Sequence, residues 1–424
     1  MQLIPLRLRN SEFFRNVFTL TAGTFLAQLV TVLLTPVLSR LYTPADYAVF
    51  ALFTSFVSQV AVGASLRLEM ALPTVQDDRE ADGLTRLAFR IVSVVSLLSM
   101  IALVVWLRFI GSTGGSSWVL LLAPLGILFT ALMQVLNMAS SRAKTFRLNS
   151  MARIVLSLVT GTVSMLLGWM GWGANGLIFG MLGGLLAGTW VLWHPQRKNV
   201  HSAVKGPYPD RHYFRKFRQY VFVNTPHALV DTLEVSGILF LMNRCYTQAE
   251  IGSYFFAYRL LKLPVALIGA AVFQVFYQRM AEARSEGRPL APMIRSVYRQ
   301  MALVGLPVFL VLMFFSDDVF PFVFGKEWKL AGMLASVMSP WLFFNFLASA
   351  VSSVGLLLNF QKQAFAIAIV DISFRMGFLL IGGGLFGFSA MVSYLAAFSS
   401  LVMVFATWWY HHIARKNDLA EATV

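Results

Sequence analysis

The chain has 424 residues, 58% of them apolar and only 12% charged, about half the charged share of a soluble domain, and its mean hydropathy is +0.69. That composition excludes an ordinary soluble fold and points to a polytopic membrane protein. The formal charge of +15 does not indicate nucleic-acid binding, because the basic residues are spread over many short loops instead of forming one stripe.

Apolar runs of about 20 residues, the length that crosses roughly 30 Å of hydrocarbon, recur at 14–38, 47–72, 88–110, 117–138, 151–170 and 174–193. A second set follows at 219–243, 251–277, 297–316, 331–357, 364–384 and 387–411. Twelve transmembrane helices are expected. Nothing alternates with the period of two that a membrane β-barrel needs, so the fold class is all-α. The opening stretch MQLIPLRLRNSEFF has no small-residue cleavage site before a short apolar core and reads as a retained cytoplasmic tail.

Lys and Arg in the short loops set the orientation. With the N-terminus inside, 26 of the 34 basic residues fall in inner loops, five in outer loops, and Arg259, Lys262 and Arg375 within spans. Both termini are then expected in the cytoplasm. The single Cys245 can form no intrachain disulfide.

Two phrases occur twice. RLYTPADY from Arg40 and RCYTQAEI from Arg244 share four of eight residues at an offset of 204, and RLAFR from Arg86 returns as RSVYR from Arg295. Ordered echoes imply an internal duplication, with one six-helix bundle over 1–193, a basic cytoplasmic linker over 194–218 and a second bundle over 219–424. Six crossings is an even number, so the bundles share an orientation, as in a transporter that rocks around a central cavity. In the repeated turn, Thr43 or Thr247 can cap the next helix while Asp46 or Glu250 reaches back. Pro44 suits the first helical position.

The informative residues are those where the repeat breaks. At the same offset, Arg259 and Lys262 replace Ser55 and Ser58, and His227, Asp231 and Glu234 replace Gly23, Ala27 and Val30. Each group shares one helix face. At 1.5 Å per residue, Glu234 and Arg259 both lie about 13 Å from the outer surface, and Asp231 and Lys262 about 18 Å. Three readings stay open. The charges pair and lock the hairpin, or the cations meet an anionic substrate, or the carboxylates and His227 hold a coupling proton or sodium ion.

Asp371 and Arg375, four residues apart, suit an intrahelical ion pair, with Arg375 reaching a cavity as the alternative. Arg67 and Glu69 lie near the inner end of the second span, where snorkelling accounts for them. HExxH, P-loop and GxSxG motifs are absent, and so are a metal site and a cofactor motif; the outer acidic residues Asp317, Asp318 and Glu327 occupy a loop too short for a sizeable enzyme site. The glycine clusters at Gly180–Gly188 and Gly382–Gly384 suit close helix packing.

Four phrases in register resemble the polysaccharide-transporter branch of the multidrug/oligosaccharidyl-lipid/polysaccharide exporters, including Wzx-type O-antigen flippases. They are SRLYTPADYAVFAL, LRLEMALPTVQDDREADGL, YRLLKLPVALIGAAVFQVFYQR and FGKEWKLAGMLASVMSPWLFFNFLASAVSS. The resemblance implies a non-enzymatic flippase in the bacterial inner membrane. It would move undecaprenyl-pyrophosphate-linked oligosaccharides from the inner to the outer leaflet, for O-antigen or exopolysaccharide assembly beside a polymerase and export machinery.

It also implies a cationic cavity, carried here by Arg259 and Lys262 of the YRLL.LP phrase and by Arg375, with Arg67 a further substrate-binding candidate. His227, Asp231, Glu234, Asp371 and Glu69 are the ion-coupling candidates. The alternatives are a cation-coupled multidrug antiporter of the same superfamily, a membrane glycosyltransferase or polymerase, and a non-catalytic scaffold.

Overall fold

The computed structural model describes residues 6–110, 117–202 and 208–422. In hydrocarbon every backbone N–H and C=O needs an internal partner, which the α-helix supplies, and among the described residues the chain is helical nearly throughout with no β-strand. The first half contains α1 (Leu6–Leu41), α2 (Pro44–Ala61), α3 (Asp78–Ile110), α4 (Ser117–Leu120), α5 (Ala123–Arg142), α6 (Phe146–Trp169), α7 (Ala174–Ser202) and α8 (Asp210–Lys216). The second contains α9 (Thr225–Cys245), α10 (Gln248–Pro264), α11 (Ala270–Ser285), α12 (Ala291–Phe324), α13 (Lys329–Val351), α14 (Ser353–Leu357), α15 (Gln361–Gly382) and α16 (Phe388–Ala422). A 3₁₀ stretch covers Leu68–Thr74, and π-helical turns cover Tyr220–Asn224 and Val265–Gly269.

Among the described residues ten helical segments are long and apolar enough to cross a membrane. The other two expected spans, 47–72 and 219–243, fall on α2 and on α9 with its preceding π turn. The span over 47–72 is corrected: α2 stops at Ala61, and Leu66 and Arg67 take left-handed φ angles of 54° and 56°. A left-handed pair cannot continue a right-handed helix, so the chain turns before the 3₁₀ stretch. Four ionisable side chains, His227, Asp231, Glu234 and Arg244, lower the apolar content of α9.

The chain divides into two compact units, one of Met1–Tyr42 and Val49–Leu239, the other of Thr43–Ala48 and Phe240–Val424. In the first unit α6 packs along α1 and α7. The α6–α7 approach depends on glycine: a Cβ at Gly184 would lie 1.9 Å from Thr160 Oγ1 and 2.7 Å from the Leu156 carbonyl oxygen. One at Gly180 would lie 2.0 Å from Ser164 Oγ. The expected close packing of this cluster is observed, and it follows the small-residue logic of membrane helices.

On the same unit α8 is fastened by Asp210, which accepts two hydrogen bonds from Arg90 at 3.0 and 2.9 Å. Lys216 pairs with Glu80. Between these ties Tyr213 is buried among Leu68, Leu72 and Leu84. Burial pushes its hydroxyl pKa up, with Glu80 adding to the shift and Arg86 opposing it.

In the second unit α13 lies against α12, α16 and α10. Trp328 is fully buried, its ring 4.0 Å from Phe256 and 5.0 Å from Tyr47 by centroid. Both repeated turns form the expected capping box. Asp46 accepts from Thr43 N at 2.9 Å and Glu250 from Thr247 N at 2.8 Å, while each threonine hydroxyl accepts from the acid's own backbone N–H. The starts of α2 and α10 also touch directly: a Cβ at Gly252 would lie 1.6 Å from the Pro44 carbonyl oxygen. The Gly382–Gly384 run shows the expected close packing at its first two residues. It ends α15, with Gly384 at φ 84°; a Cβ at Gly383 would lie 2.7 Å from Cys245 Sγ and one at Gly382 3.1 Å from Met391 Cε of α16.

Gly184→Ala is expected to lower the thermal midpoint of the purified protein, by the equivalent of about 1–3 kcal/mol of overpacking. Gly183→Ala is the control, because a Cβ there meets only Val159 and Val163 at 3.8 and 3.9 Å. Equal midpoints for the two variants would contradict the packing account.

Candidate functional site

In the second unit three helices each contribute a pair of side chains one turn apart, and the pairs form one chain of contacts. On α10, Lys262 Nζ lies 5.6 Å from the centroid of the Tyr258 ring. It donates a hydrogen bond to Asn345 Oδ1 at 3.1 Å on α13. Also on α13, Trp341 stacks on Tyr258 with centroids 5.8 Å apart. The Arg375 guanidinium of α15 lies 5.1 Å from the Trp341 ring. Arg375 Nη2 is 2.6 Å from Asp371 Oδ2, and Asp371 Oδ1 accepts from Ser399 Oγ of α16 at 2.6 Å.

The helical period explains why these six residues meet. Side chains four apart stand on one face, so Tyr258 with Lys262, Trp341 with Asn345, and Asp371 with Arg375 each present a two-residue tooth. The Asp371–Arg375 ion pair expected from the spacing is present, and both side chains are 3% exposed. In a low-dielectric surrounding such a pair holds only when its remaining hydrogen-bonding capacity is used; Ser399 supplies part of that. Arg259 stands one residue beyond Tyr258 on α10 and is exposed, and Lys262 is half-buried between the two on the helix face.

In the first unit the charged face of α9 carries an ion pair one turn long, His227 Nδ1 to Asp231 Oδ2 at 3.1 Å, with both side chains exposed. Glu234 follows on the same helix, half-buried. On the opposite side of α9, Gln59 of α2 donates to the Leu229 carbonyl at 3.0 Å and accepts from Ser236 Oγ at 2.7 Å. Beyond the end of α2, Arg67 Nη1 is 3.7 Å from Glu69 Oε1, and Glu69 accepts from Ser65 Oγ. Glu69 is 1% exposed. Snorkelling therefore does not describe it: the turn at Leu66 and Arg67 folds the carboxylate inward, to a hydroxyl and a guanidinium.

The structure thus gathers Lys262, Arg375 and Asp371 into one cluster, leaves Arg259 beside it on the same helix, and joins Arg67 with Glu69 and His227 with Asp231. Sequence reasoning missed Tyr258, Trp341, Asn345, Ser399 and Gln59. A signal existed for two of them, since at the repeat offset Tyr258 stands where the first half has Thr54, and Gln59 where the second half has Leu263. Trp341 read as one more aromatic of an apolar span.

Asp371→Ala leaves Arg375 a buried cation without its carboxylate and is expected to cost about 3–5 kcal/mol, seen as a lowered thermal midpoint. Combining Asp371→Leu with Arg375→Met should recover most of that loss. A double variant no more stable than Asp371→Ala would contradict the assignment of the pair as the cause.

The family model for "Polysaccharide biosynthesis protein" matches residues 37–332. A Bacillus subtilis (strain 168) protein, the teichuronic acid biosynthesis protein TuaB, is 24% identical over 149 residues, which is 35% of this chain and 30% of that protein. The chain therefore aligns with under a third of that relative's length. Several solved structures match nearly end to end, two of them with TM-scores of 0.71 and 0.69. One is a multidrug resistance MATE family transporter of the MOP superfamily, inward-facing, with TM-score 0.71, 13% identity and coverage of 95% of this chain and 96% of that one. The other is the lipid II flippase MurJ in an inward closed conformation, with TM-score 0.69, 16% identity and coverage of 95% and 90%. The match over 37–332 spans well over half of the 424 residues, and the chain is a multi-pass, all-α membrane protein that belongs to the polysaccharide biosynthesis protein family and has the MATE and MurJ fold.

Proposed function

We propose that the protein is a flippase. It carries undecaprenyl-pyrophosphate-linked oligosaccharide units from the inner to the outer leaflet of the bacterial inner membrane, by alternating access of two like-oriented six-helix bundles, 1–193 and 219–424, joined by 194–218. Both termini are cytoplasmic and the chain does no covalent chemistry; it supplies units to a polymerase and export machinery for O-antigen or exopolysaccharide. Family membership and the fold shared with a lipid II flippase support a lipid-linked cargo.

The observation that carries the reading is the cationic face of α10, where Arg259 is exposed beside Lys262. A pyrophosphate and its sugars do not cross hydrocarbon unaided, because each charge or unpaired hydroxyl costs several kcal/mol or more there. On this reading Arg259 and Lys262 meet the pyrophosphate, while the lipid tail stays in the bilayer. Arg67 serves as a further contact, and Arg375, buried behind Trp341, acts from the second rank. Proton or sodium coupling falls to His227, Asp231 and Glu234 on α9, with Glu69 and Asp371 as the buried carboxylates. The same exposed His227–Asp231 face favours a second reading, a cation-coupled drug antiporter, in line with the MATE likeness.

In a strain lacking the protein, plasmid-borne Arg259→Ala or Lys262→Ala should cut surface polymer roughly tenfold or more, the worth of one charge-assisted contact, at unchanged membrane levels and unchanged drug tolerance. Normal polymer with altered drug tolerance would instead select the antiporter.

A further inference from the structure

We propose that Trp341 and Tyr258 are positioning residues that fix where the Lys262 ammonium stands, an inference that rests on Lys262 meeting the substrate anion. The assignment follows from the order of contacts. Lys262 has a four-carbon stem with many rotamers, and a cation on such a stem reaches an anion efficiently only when it is held in advance. The groups that hold it include the Asn345 oxygen at 3.1 Å and the face of Tyr258 at 5.6 Å. An aromatic face attracts an ammonium most where water is excluded.

Tyr258 in turn needs a fixed plane. Its ring rests on Trp341, which is 3% exposed and so has little room to turn. Trp341 is pinned from α15, where Arg375 lies 5.1 Å from the indole ring and is itself clamped to Asp371 at 2.6 Å. Trp341 and Asn345 stand one turn apart on α13, so the helix that holds the ring also carries the oxygen that takes the ammonium. A rotation of α13 or α15 would then be transmitted to Lys262 through stacked rings without either helix touching the cargo.

The test is a double-mutant cycle on the native cargo. In a strain lacking the protein, with expression lowered until this transporter limits polymer output, the rate at which pulse-labelled polymer reaches the surface is compared for Trp341→Phe, Trp341→Ala, Lys262→Ala and the Trp341→Ala/Lys262→Ala pair. Trp341→Phe, which keeps a flat ring, should stay within about twofold of the unmodified protein, and Trp341→Ala should fall roughly tenfold. In the Lys262→Ala background Trp341→Ala should add less than about twofold, because its target is already gone. A merely structural Trp341 would multiply with Lys262→Ala, and that result overturns the proposal while leaving the substrate role of Lys262 intact. A normal rate for Lys262→Ala alone overturns both. Should Trp341→Ala fail to reach the membrane, Tyr258→Leu takes its place in the cycle with the same expected outcomes.

Discussion

An ion in hydrocarbon must bring its own counter-charge or polar company, and this requirement decides where the chain keeps charge inside its spans. Asp371 and Arg375 meet it most completely, 2.6 Å apart on one helix face and backed by Ser399 and Trp341. His227 and Asp231 meet it more openly, and Glu69 through a hydroxyl and a guanidinium beyond the end of α2. Lys262 is held by an amide oxygen and a ring. These arrangements grade from a closed pair to a cation held by neutral groups, and on the proposed function that grade separates a structural charge from one that meets cargo.

The scaffold around these charges uses a different economy. Lipid tails are as apolar as leucine, so helices in a membrane gain little from burying leucine against each other and depend on close approach instead. Gly180 and Gly184 let α7 reach the backbone of α6, and Gly252 lets α10 reach Pro44. Large rings then fill the second unit around Trp328. Rigid packing of this kind keeps each two-residue tooth in register with the next helix.

Much of this was legible in the residues. Hydropathy runs marked the helices, because crossing a bilayer demands length. Both capping boxes followed from Thr43 with Asp46 and Thr247 with Glu250, and the Asp371–Arg375 pair from a spacing of four, since these interactions lie within one turn of the chain. The turn after Ala61 was not legible: Leu66 and Arg67 are ordinary residues that tertiary context holds at positive φ. The stack of Tyr258 on Trp341 joins helices 83 residues apart, and periodicity shows which face a ring occupies but not what meets it. The buried state of Glu69 depended on that same unforeseen turn.

The central claim is that the cationic face of α10 carries a lipid-linked pyrophosphate across the bilayer. It is tested most directly by reconstituting the purified protein into liposomes with lipid-linked oligosaccharide extracted from a strain lacking it. The fraction of cargo reaching the opposite leaflet is then read with and without proton and sodium gradients. The account predicts protein-dependent translocation that Arg259→Ala abolishes at unchanged folding. Folded protein that moves no cargo under any gradient, or an Arg259→Ala variant that moves it at the original rate, would contradict it.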